Sequence, residues 1–172
     1  MKRGRLNSTG LARLRSELAR DIQALRDLAN FIVQASPALA EHTPERRDLS
    51  SVALDLHRWY TALESLVERV ERFFGLLPPG GDRWHQDLLE GAFLDIADVR
   101  PAVLPNSQKA DLMDLLRFRH FLRHAYASVL DPGRMADLVA AFERVLAPVL
   151  AHLEGFERVV ATLRDALDAN ET

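Results

Sequence analysis

Cysteine is absent, which excludes disulfide frameworks and thiolate metal sites and is compatible with a reducing compartment. No apolar run is long enough for a membrane span. The basic start, MKRGRLNSTGLARLRSEL, meets a charge every few residues where a signal peptide would have an apolar stretch. A cytoplasmic protein with no membrane partner is expected. Strand-like alternation, internal repeats and low-complexity tracts are also missing. So is a strong excess of either charge: a net charge of -3 argues against a protein that coats nucleic acid by bulk attraction. Lysine is scarce, 20 of the 22 basic residues being arginine, a bias that a GC-rich genome would account for.

What remains is the composition of one soluble globular domain. With 172 residues, 48% of them apolar and 27% charged, the chain can build a single core that hides roughly two thirds of its unfolded surface. Residues 1–172 are read as that one domain, with 1–10 as a flexible basic N-terminus. Charge is polarised along the chain: Met1 to Arg26 carries seven cations and two acids, Met135 to Thr172 three cations and seven acids.

Apolar residues recur at steps of three, four and seven, the signature of amphipathic helices. Leu11, Leu14, Leu18, Ile22, Leu25, Leu28, Ile32 and Leu39 predict a long first helix. Thr43-Pro44 supplies a cap and first-turn proline for a second, with Leu49, Val52, Leu56, Trp59, Leu63, Leu66, Val70 and Phe73 on its stripe, ending before LLPPGGD. Asp82 is the expected cap of a short helix from Arg83 to about Ile96, and RPAVLPNS is the loop after it. Asn106 or Ser107 would cap a fourth helix starting near Gln108, which Asp131-Pro132-Gly133 breaks. A last helix runs from Arg134 to about Leu167. The predicted fold is all-α: an antiparallel bundle of about five helices with short connections.

The fourth helix carries the chemistry. RFRHFLRHAY, residues 117–126, holds three arginines, two histidines and a tyrosine, and no acid occurs between Leu115 and Leu130. At about 100° per residue, Arg119, Arg123 and Tyr126 share one face, and Arg117, His120 and His124 another. Arginine presents a fixed fork of donors that matches phosphate oxygens, and histidine exchanges a proton near neutral pH. The pair suits phosphodiester cleavage, which needs a base for the 2'-hydroxyl, an acid for the leaving oxygen and a cation for the charge on phosphorus. RNA brings its own nucleophile, so no metal or other cofactor is called for. Arg119 and His124 lie about 140° apart on a regular helix, so joint action on one phosphate requires a bent helix or a second copy of the chain.

Arg119 to Tyr126, RHFLRHAY, resembles the Rx4-6H signature of HEPN ribonucleases, and more narrowly the RX4HXY form of HepT-type toxins. His120 matches the polar residue that this family commonly places after the arginine. Of six histidines, only His124 follows an arginine at the required gap. The order of helices also resembles the family's, with the motif late in the fourth. The resemblance implies a HEPN-like fold and a metal-independent RNA endonuclease, active as a homodimer with its site at the dimer cleft. Arg119 would polarise the phosphate, His124 would act as base or acid, and His120 would support them. It further implies the toxin of a type VII-like toxin-antitoxin pair, whose antitoxin is a nucleotidyltransferase that adenylylates the motif tyrosine, here Tyr126. Arg117 and Arg123 are expected phosphate contacts from charge and position. Arg117 also stands at an x6 gap from His124, but Arg119 is preferred as the motif arginine because His120 follows it.

Plainer readings compete. The arginines could line a solvated face and pair with acids on a neighbouring helix, and Tyr126 could be a core or interface residue. His120 and His124 have the i, i+4 spacing of a metal pair but no evident third ligand. His57, His85, His42 and His152 receive no role, and Trp59, Tyr60, Phe73 and Phe74 are read as core. The alternative function is a non-catalytic HEPN-fold module that binds RNA, a nucleotide or a protein.

Overall fold

The computed structural model describes residues 7–40, 44–124 and 130–170, with the side chains of 40, 123, 124 and 170 excepted. Five α-helices and two short 3-10 turns account for most of it, and the described residues contain no strand. The helices are α1 (Ser8–Ala35), α2 (Arg46–Phe74), α3 (Trp84–Ala92), α4 (Lys109–His124) and α5 (Pro132–Asn170). The all-α bundle expected from periodicity is the observed fold. No helix among the described residues is long and apolar enough to cross a membrane.

The stripes read from the sequence are the buried ones. Leu11, Leu14, Leu18, Ile22, Leu25 and Ile32 of α1 face the core, as do Val52, Leu56, Trp59, Leu63, Leu66 and Val70 of α2. α1 packs against α2 and α5, α4 lies on α5 and α2, and α3 closes on α2 and α4. Trp59 meets Phe142 of α5 edge-on, ring centres 5.1 Å apart, and Phe73 meets Phe74 in the same way. One continuous apolar cluster links all five helices. Burial at about 25 cal/mol per Å² makes such a cluster the main source of stability.

Helix ends depart from the sequence expectations. α1 begins at Ser8, inside the stretch expected to be flexible, because the Asn7 side chain accepts a hydrogen bond from the Gly10 backbone N–H at 2.6 Å. Leu39 is buried as expected but in a 3-10 turn, Ser36–Ala40, beyond the end of α1. Thr43 lies outside the described residues, and Pro44 precedes the extended cap residue Glu45, so it is not in the first turn. Gly75 ends α2 at φ +70°, a left-handed conformation that glycine adopts without a Cβ penalty. Asp82 caps nothing: α3 starts after Arg83 and stops at Ala92, four residues short of the expected end. The cause is a backbone competitor, since the Val103 and Leu104 N–H groups both donate to the Ala92 carbonyl. Asn106 and Ser107 enter a 3-10 turn rather than capping α4. Asp131 caps α5 through the Arg134 N–H, which places Pro132 at the first helical position and starts the helix two residues early.

The charge polarisation of the chain is closed up by folding. Arg15 pairs with Glu157 at 2.6 Å and Arg26 pairs with Glu154, so cations of α1 meet acids of α5. Another strut joins α4 to α5, where Asp111 accepts both arms of the Arg144 fork at 3.0 and 2.7 Å. The hydrogen bond from Arg144 holds the Asp111 carboxyl below its ordinary range. A depressed acid stabilises the fold above its unfolded pKa, about 3.9, and loses that contribution as pH falls through its lower folded value. Asp111→Asn is therefore expected to melt about 2 °C below wild type at pH 7, with the gap closing near pH 2. Thermal melts at the two pH values check this.

Candidate phosphate site

The inward face of α4 is formed by Leu112, Leu115, Leu116 and then Arg119, at i, i+3, i+4 and i+7. Arg119 thus stands where the stripe calls for a leucine, only 7% exposed. Its Nη2 forms an ion pair with Glu64 Oε2 of α2 at 3.0 Å, with side-chain exposures of 8% and 9%. The other carboxylate oxygen, Oε1, lies 2.7 Å from Nδ1 of His85 on α3. One carboxylate therefore joins three helices. The plainer reading holds this far: Arg119 does pair with an acid of a neighbouring helix.

A second buried arginine shows what a purely structural one looks like. Arg100, 3% exposed, pairs with Glu71 of α2, two turns beyond Glu64. Its Nη1 donates to the Leu94 and Pro101 carbonyls at 2.9 Å each, and its Nη2 also donates to Gly91 O at 3.0 Å. Only Nε is left over. Arg119 is also buried and has one anionic partner, yet among the described residues both Nε and Nη1 are without a hydrogen-bond partner. Leaving a buried donor unmade costs about 1–3 kcal/mol, so the arrangement is one that stability alone does not select.

Beside Arg119, a cavity of about 340 Å³ opens between the start of α3 and the outer side of α4. Arg83 and His85 line it from one side, Arg117, Arg119 and His120 from the other, with Asp82 the one acid in the lining. Arg117 is 65% exposed and pairs with Asp114 at 2.6 Å. An exposed pair of this kind contributes at most about 1 kcal/mol, so Arg117 exchanges Asp114 for another anion at little cost. Tyr60 lies within reach of the charges of Glu64 and Arg119, and its burial raises the phenol far above its ordinary range, so it stays neutral.

The structure thus brings Arg117, Arg119 and His120 to one cavity, although the sequence put Arg119 on a different face from the other two. The backbone of Arg123 and His124 forms the last turn of α4, but their side chains lie outside what is described, as does the whole of Tyr126. Among the described residues, no group of three His, Asp or Glu side chains is arranged to hold a metal ion. His85 and Glu64 were missed by the sequence reading. Glu64 and Glu71 fall on the stripe of Tyr60 and Val67, and acids on a buried stripe announce buried cations, which was the available signal. His152, given no role by the sequence, is half-buried with Nε2 3.0 Å from the Ala102 carbonyl.

A family model described as HepT-like protein matches residues 51–160, from the first turns of α2 to the later turns of α5. No curated protein and no solved structure gives a significant match.

Proposed function

The chain belongs to the HepT-like family, and on that premise we propose that it is a metal-independent RNA endonuclease that acts in the cytoplasm as the toxin of a toxin-antitoxin pair. The observation that carries the reading is Arg119: a buried guanidinium with two N–H positions unpartnered among the described residues, at the wall of a cavity that also gathers Arg83, Arg117, His85 and His120. In the reaction Arg119 neutralises charge on the phosphate, His124 transfers a proton, and His120 supports the pair. Arg117 and Arg123 hold flanking phosphates. A homodimer brings the two motifs together across a cleft. The antitoxin is a nucleotidyltransferase that adenylylates Tyr126, adding negative charge and bulk next to the arginines.

The Glu64 partner of Arg119 favours a second reading, a non-catalytic module of the same fold in which the arginine is mainly a strut. Cleavage separates the two. Purified protein incubated with total RNA in excess chelator is expected to give fragments ending in 2',3'-cyclic phosphate. His124→Ala, with an unchanged oligomeric state, should cleave about 10²–10⁴-fold more slowly. Intact RNA after long incubation with the wild type would leave only the binding module standing.

A further inference from the structure

His85 is a histidine in the same cavity as Arg119 that neither the motif nor the family match assigns a role. Two contacts fix it. Its Nδ1 sits 2.7 Å from Glu64 Oε1, Trp84 meets its ring edge-on with centres 4.9 Å apart, and the same Glu64 carboxylate grips Arg119. A carboxylate on Nδ1 keeps the proton there and leaves Nε2 as the basic nitrogen, the arrangement by which an acid orients a catalytic imidazole. The His85 side chain is one-third exposed and lines the cavity, so the ring meets whatever the cavity holds.

Resting on the ribonuclease reading, we infer that His85 is the general base of this site, taking the 2'-hydroxyl proton from an RNA phosphodiester bound at Arg119. As the proton moves to Nε2, the 2'-oxygen bonds to phosphorus and the bond from phosphorus to the 5'-oxygen breaks. The 5'-oxygen then takes a proton from His124, giving a 2',3'-cyclic phosphate and a free 5'-hydroxyl. Attacking and leaving oxygens must lie roughly in line across phosphorus, so base and acid belong on opposite sides of the phosphorus. His85 reaches the Arg119 site from α3, on the other wall of the cavity from α4.

The test is His85→Gln, whose amide can still donate to Glu64 but cannot take a proton. Cleavage is expected to fall about 100-fold with the melting temperature unchanged, and the acidic limb of the kcat/KM profile should be lost. The charged and titratable neighbours that set this limb are Glu64, Asp82, Arg83, Arg119 and His120. A wild-type rate and pH profile in His85→Gln, alongside an active wild type, overturns the role of His85 and leaves the ribonuclease reading in place. If the wild type itself cleaves no RNA, both are overturned together.

Discussion

Arg119→Ala is expected to cleave RNA about 10²–10³-fold more slowly than wild type, the loss typical when a charge-stabilising donor is removed. The alanine variant also strands Glu64, so a fall in stability will accompany the fall in rate. Arg119→Lys separates the effects. Lysine keeps a cation against Glu64 and should restore most of the melting temperature, but a single ammonium cannot reproduce a fork that holds a carboxylate and a phosphate at once. Cleavage by the lysine variant should therefore stay at least about tenfold below wild type. Rates and thermal melts of both variants decide the matter, and a lysine variant as fast as wild type would reduce Arg119 to a strut.

The largest loss of stability is expected at the other buried arginine. Arg100→Ala leaves Glu71 charged and unpaired in the core and frees the Leu94, Pro101 and Gly91 carbonyls. Breaking a buried pair from one side costs about 3–5 kcal/mol, a large share of the roughly 5–15 kcal/mol that holds a domain together. The loss should depend on pH. Burial already pushes the Glu71 carboxyl up, and without Arg100 it rises further. An acid whose folded pKa exceeds its unfolded one stabilises most below the unfolded value and loses that benefit as pH rises through the folded value. The variant should thus lie closer to wild type at pH 5 than at pH 8. Replacing both partners, as in Arg100→Leu with Glu71→Leu, removes the stranded charge but not the orphaned carbonyls, so recovery is partial. Denaturant titrations of wild type and the two variants at both pH values measure each component. Full recovery in the double variant would mean that the carbonyl contacts contribute nothing.

Helix number, order and inward faces were legible because each helix repeats its apolar positions over several turns, and a repeated signal survives local exceptions. Ends were not, because they depend on single competitors. The Ala92 carbonyl is taken by Val103 and Leu104, ten or more residues away, and nothing between Arg83 and Ile96 announces it. That Arg119, Arg117 and His120 stand together was legible because they crowd one short segment, and they do line one cavity. Glu64 and His85 come from helices distant in sequence, and only folding joins His85 and Arg119 through the one Glu64 carboxylate. Arg100 was passed over as part of a loop for the same reason: its anion is 29 residues away.

The carboxylate on Arg119 has a consequence for turnover. Any phosphate that enters the cavity competes with Glu64 for a guanidinium already engaged. Part of the attraction is offset by that competition in the ground state, whereas the extra charge that builds on phosphorus during reaction is drawn to the two donors still unused. On the proposed ribonuclease reading, an arginine restrained in this way would hold intact and cleaved RNA loosely and favour the short-lived species between them, so that each product would leave in time for the next strand to enter.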